Sequence, residues 1–205
     1  MNAGHHGRRG ALGLLGAALA WPALAHDGHR HGTDATGPGS DTRLRGTLPD
    51  LRVVDAERRR RRLVSEVLAG RVVAIDFVLT GCASLCGVVS AAMAGAQDIL
   101  GARLPREAGL LSIGLDPFAD TPEALAAYGQ RFGAGPGWSL VHVPAASIDD
   151  LLRRLGGPQP GGDHAPMVLV LDPQRGALRR LLGLPSPDAI AAAVIASLEA
   201  RKSQA

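Results

Sequence analysis

Cys82 and Cys86 are the only cysteines in this 205-residue chain, and three residues separate them. Thiols at that spacing support two kinds of chemistry. They can form a disulfide and exchange it with another thiol pair, or they can ligate a soft metal ion, with Cu(I) and Zn(II) the main candidates. A disulfide framework and a four-sulfur zinc site are both excluded by the count. A purely stabilising bridge across so short a loop would contribute little. At a helix start, residues i and i+4 share a face, so the sulfurs converge. The helix N-terminus should also favour thiolate and lower the thiol pKa. Two other residues could join this pair. Asp76 sits inside the apolar run Val72 to Leu79, where a carboxyl must be protonated or paired. His164 follows Gly161, Gly162 and Asp163, and reads either as an exposed loop histidine or as a third ligand.

The elements that must position these groups follow from periodicity. Val72 to Leu79 is an almost unbroken apolar run, as expected of a strand covered on both faces, and a helix should follow from Cys86 to Leu100. Further strands are expected at Leu48 to Val54, Gly109 to Leu115, Ser139 to Val143, Met167 to Leu171 and Leu178 to Leu182, the last two as a hairpin. Short helical stretches are expected at Leu63 to Ala69 and at Ile148 to Leu155, the latter capped by Ser147. Asp120-Thr-Pro-Glu123 should open a helix to Arg131, with Asp120 as cap and Glu123 completing a capping box. Ser186 to Arg201 forms the last helix. Strands alternating with helices predict an α/β fold with a central mixed sheet flanked by helices. Arg58 to Arg62 reads as a solvated basic turn, or more sharply as a docking point for an acidic partner or anionic lipid. His142 reads as a core or edge residue.

Four ordered blocks resemble the Sco/SenC family of copper-handling proteins. They are Phe77-Val-Leu-Thr-Gly-Cys82-Ala-Ser-Leu-Cys86, Leu115-Asp-Pro-Phe-Ala-Asp-Thr-Pro-Glu123, Arg131-Phe-Gly-Ala-Gly-Pro-Gly-Trp138 and Asp163-His164-Ala-Pro-Met-Val-Leu-Val-Leu-Asp172. The resemblance spans roughly residues 44–199. It implies a thioredoxin-like fold and copper, as Cu(I) or Cu(II), bound through Cys82, Cys86 and His164. It also implies a metallochaperone role in assembling the copper centre of a respiratory cytochrome c oxidase. The implied partner is a copper-accepting oxidase subunit or another copper chaperone, met by a monomer. Asp163 reads as a solvated loop acid or a partner of the histidine.

Three features keep a second reading open, that of an exported thiol–disulfide oxidoreductase. Gly87 stands where the family usually has proline after its second cysteine. Asp76, six residues before Cys82, is similar in position to the buried aspartate of thioredoxins. Pro166 precedes a strand where thioredoxins carry a cis-proline. In that reading Cys82 attacks, Cys86 resolves and Asp76 accepts the proton. A peroxiredoxin-like reading fits less well, because Thr80 lies two residues before Cys82 rather than three.

The N-terminus supplies the compartment. Arg8 and Arg9, the apolar run Ala11 to Ala20 and the small residues Ala23-Leu-Ala25 form a three-part export signal over residues 1–25. Left uncleaved, the segment would attach the chain to the inner membrane; cleaved, it would leave a periplasmic protein. An oxidising compartment would drive the cysteines to a disulfide unless a reductant or metal intervenes. Residues 26–43 read as a flexible linker, with His26, His29 and His31 as an auxiliary metal-capturing tail or as a plain solvated segment. The folded domain occupies residues 44–205. Loss of Arg8 and Arg9 lowers the net charge from +3 to +1, so the basic balance gives no support to nucleic-acid binding.

Overall fold

The computed structural model describes residues 41–82, 85–158 and 165–204. The strands are β1 (Asp41–Arg43), β2 (Arg52–Asp55), β3 (Arg60–Arg62), β4 (Val72–Val78), β5 (Ala108–Gly114), β6 (Trp138–His142), β7 (Met167–Asp172) and β8 (Ala177–Leu182). The helices are α1 (Leu85–Leu100), α2 (Pro122–Arg131), α3 (Ala145–Leu155) and α4 (Pro187–Lys202), with a π-helical turn at Leu63–Leu68. Among the described residues the strands form one sheet in the order β1-β8-β7-β4-β5-β6-β2-β3. The β4–β5 and β5–β6 pairs are parallel, and the remaining pairs are antiparallel.

Every residue of β4 and β5 is buried, because both faces of these central strands are covered. Period-2 alternation divides the core. Val72, Ala74 and Val78 face Val89, Met93, Leu125, Tyr128 and Val194 on one side. Val73, Ile75 and Phe77 face Leu63, Val67, Ile148, Leu151 and Leu155 on the other. The α1 helix, with its 3-10 extension to Arg103, is the one described helix long and apolar enough to cross a membrane. It serves the core instead, burying Val89, Met93, Ala96 and Leu100.

Local chemistry moves three expected boundaries. Thr121 rather than Asp120 caps α2, accepting from the Ala124 N–H at 3.3 Å, so Glu123 falls one position short of a capping box. The α3 helix starts at Ala145 after Pro144, whose carbonyl accepts from the N–H groups of Ser147 and Ile148. Ser147 therefore lies inside the helix and does not cap it. Residues 60–62 are a strand rather than a turn, paired with β2, and the turn falls on Ala56 to Arg59. That hairpin disperses the basic run into ion pairs. Asp55 takes Arg59 at 2.8 Å and Arg61 at 3.6 Å, Glu66 takes Arg61 at 3.1 Å, and Glu123 takes Arg58 at 2.6 Å.

Candidate functional site

Both cysteines lie at the carboxyl end of β4, the end of a parallel sheet where α/β proteins place their sites. The chain leaves β4 through a turn closed by the Cys82 N–H on the Leu79 carbonyl at 2.9 Å. Cys82 is in that turn and Cys86 is the second residue of α1, so the pair does not share a helix face as the spacing suggested. The thiols nevertheless meet: the Cys82 sulfur is a hydrogen-bond partner of Cys86. Both are half-buried thiols.

Burial, more than any other influence, pushes the Cys86 thiol up. A hydrogen bond from the Leu79 backbone draws it down, while Cys82 and the charge of Asp76 push it further up. This reverses the sequence expectation of a lowered thiol pKa. The helix terminus acts within one turn, but desolvation by atoms from several elements outweighs it here. Cys86 opens onto an apolar recess, whose walls include Phe77, Leu85, Val89, Pro158, Ala165 and Met167.

The cysteine turn is held from below by Asp120. Its carboxylate is buried and accepts from the Thr80 N–H at 2.8 Å, the Thr80 hydroxyl at 2.7 Å and the Asp116 N–H at 2.9 Å. Asp116 closes its own turn by accepting from the Phe118 and Ala119 N–H groups. His142 is half-buried at the end of β6, with Nδ1 3.1 Å from the Asp120 carbonyl. It thus stabilises the same loop and stands apart from the thiols. Phe118, 85% exposed, and the exposed Leu85 and Val88 give this end of the molecule an apolar rim.

Behind α1 lies a polar network that sequence reasoning missed except for Asp76. The Asp76 carboxyl is fully buried and accepts from the Ser112 hydroxyl at 2.5 Å and the Ser90 hydroxyl at 3.1 Å. Ser112 accepts from the Trp138 indole N–H at 2.9 Å, and Ser90 lies 2.9 Å from the Tyr128 hydroxyl. Burial raises the Asp76 pKa to about 6 against the pull of both serines, and raises that of Tyr128 to about 12. Signals existed for these partners. Ser112 interrupts an apolar strand opposite Asp76 in the β4–β5 register, and Ser90 is four residues beyond Cys86 on α1.

The peptide before Pro166 is not cis; among the described residues the one cis bond is Leu104–Pro105. His164 and Asp163 lie outside the described residues, as do residues 1–40 with the export signal and His26, His29 and His31. The described residue after His164, Ala165, lines the same recess as Cys86. No group of three or more His, Cys, Asp or Glu side chains disposed for a metal occurs among the described residues.

Known proteins share this architecture. The fold matches BsSco, a member of the Sco family of cytochrome c oxidase assembly proteins, with a TM-score of 0.59 and 21% identity over 77% of this chain and 95% of that one. It matches copper-bound Bradyrhizobium japonicum ScoI with a TM-score of 0.58 and 18% identity over 74% and 99%. A SCO1/SenC family lipoprotein from Bacillus anthracis matches with a TM-score of 0.56 and 18% identity over 74% and 89%. The fold is therefore thioredoxin-like, a mixed sheet flanked by helices. No curated protein matches the chain in sequence. The SCO1/SenC family model matches residues 54–136, which begin in β2, include both cysteines and end before His164. Over that segment the chain is similar to the SCO1/SenC family, and its fold is that of the Sco structures.

Proposed function

We propose that the protein is an exported copper carrier that assists assembly of the copper centre of a respiratory cytochrome c oxidase. Copper is its cargo. Cys82 and Cys86 hold the ion, His164 completes the site, and the recipient is a copper-accepting oxidase subunit or another copper chaperone. The observation that carries the reading is the meeting of two half-buried thiols beside an apolar recess. Soft sulfur donors in apolar surroundings suit Cu(I), and an added imidazole gives three-coordination that also accommodates Cu(II). Ala165 on the wall of that recess supports His164 as the third ligand. The Asp120 clamp would keep Cys82 in place, and the apolar rim at Phe118, Leu85 and Val88 suits transient docking of a recipient. The membrane proximity of the recipient agrees with residues 1–25 as an export signal or an inner-membrane anchor.

Equilibrium competition against a Cu(I) chelator tests this with reduced protein. One copper ion per chain is expected for the wild type, a loss of more than tenfold in affinity for His164→Ala, and no binding for Cys82→Ser/Cys86→Ser. Unchanged affinity in His164→Ala would remove the histidine from the site.

Thiol–disulfide exchange is the second reading, favoured by the position of Asp76. A buried carboxyl of pKa about 6 whose charge acts on Cys86 is suited to take the proton of a resolving thiol. Reduction of an insulin disulfide by the wild type, undiminished in His164→Ala and lost in Asp76→Asn, would establish exchange as the working chemistry.

A further inference from the structure

The sheet is incomplete along β6. The β2 strand pairs with it at Val54–His142 and Asp55–Val141, then turns away into β3. Trp138 and Ser139, the first residues of β6, open onto a groove of about 640 Å³ between the β2–β3 hairpin, the end of α2 and the 134–137 loop. That volume lies in the range of small-molecule sites. The groove shares no lining residue with the cysteine recess, so a ligand bound there would not depend on copper.

Three arginines line it, Arg59, Arg61 and Arg71, against one acidic residue, Glu57. Arg59 and Arg61 have acidic partners in Asp55, Glu57 and Glu66. Arg71 differs. It has no carboxylate within ion-pairing distance among the described residues. Its Nε, Nη1 and Nη2 donate to the carbonyls of Leu68 at 3.2 Å, Pro105 at 3.0 Å and Val67 at 2.5 Å. Those three bonds fix the guanidinium plane and leave two of its five N–H groups for other use. The group is half-buried. Burial first, and the neighbouring Arg61 second, push its pKa down. Two cations beside one another, one of them partly desolvated and held rigid, raise the energy of the empty groove, and an oxyanion between them offsets it.

We propose that this groove binds a small organic oxyanion, a polycarboxylate or a phosphate-bearing molecule, gripped by Arg71 and Arg61. Ser139 and Gln130 supply further polar contacts along the walls. Gly135 and Gly137 lie along the loop side of the groove.

Isothermal titration of the full chain with citrate and, separately, pyrophosphate in about 0.15 M salt, where weak surface attraction is screened, tests the site. Saturable one-to-one binding of at least one probe is expected. Citrate alone would identify carboxylate recognition, and pyrophosphate alone phosphate recognition. Arg71→Gln should weaken binding at least tenfold. Gln130→Glu, which adds a negative charge at an exposed groove position, should weaken it comparably with thermal unfolding unchanged. Arg58→Gln, on the same hairpin but outside the groove, should bind as the wild type does. The proposal is overturned if neither probe saturates, if Gln130→Glu binds normally, or if Arg58→Gln loses as much as Arg71→Gln.

Discussion

Replacing Asp76 by asparagine should make the protein's stability less dependent on pH. The carboxyl is fully buried, and burial lifts its pKa from 3.8 to about 6. The folded state therefore binds this proton more tightly than the unfolded chain. The resulting stabilisation is fully present below pH 3.8 and is lost as pH rises through 6. At about 1.4 kcal/mol per pH unit, the gap between 3.8 and about 6 corresponds to roughly 3 kcal/mol. Asparagine reproduces the neutral form. Its carbonyl can accept from Ser112, and its amide can donate to Ser90, whose own hydroxyl then turns to Tyr128. Urea unfolding of the reduced proteins, followed by circular dichroism from pH 3.5 to 7.5, reads the difference. The variant should gain on the wild type across pH 4 to 6, by up to roughly 3 kcal/mol, with the gain complete by pH 7.5. Parallel curves for the two proteins would refute the reasoning. They would mean that the carboxyl titrates alike in the folded and unfolded chains.

Two further substitutions have expected outcomes. Asp120→Ala leaves the Thr80 N–H, the Thr80 hydroxyl and the Asp116 N–H without their acceptor, so a loss of about 2–4 kcal/mol is expected in urea unfolding, with weaker Cu(I) retention in chelator competition. Gly95→Ala would place a methyl 2.8 Å from two ring carbons of Pro187, so α1 and α4 must separate, with a stability loss of about 1–3 kcal/mol in thermal unfolding.

Much of the fold was legible because the sheet is built from local patterns. The runs at 72–78 and 108–114 are apolar almost throughout, as strands covered on both faces must be. The β7–β8 hairpin and the cap of α4 by Ser186, whose hydroxyl accepts from Ala189, also follow from neighbouring residues. The errors came where a long-range partner competes with a local one. Asp120 has the composition of a helix cap, but the cysteine turn reaches it from forty residues away, and Thr121 takes over the cap. The arginines at 60–62 resemble a turn until β2 offers them a ladder and Asp55 and Glu66 offer them charge.

The sequence alone determined the reactive groups. It identified two thiols four positions apart, a carboxyl in an apolar strand and the family blocks around them, because residue identity and spacing are local quantities. Tertiary structure decided how those groups behave. The Cys86 thiol is raised rather than lowered because desolvation sums over atoms brought from distant parts of the chain. Asp76 is held by Ser90 and Ser112, 14 and 36 residues away. Arg71 and Arg61 line one groove that exists only because β2 leaves β6 partway along its length. Burial and electrostatic coupling depend on distance in space, and sequence separation does not specify that distance.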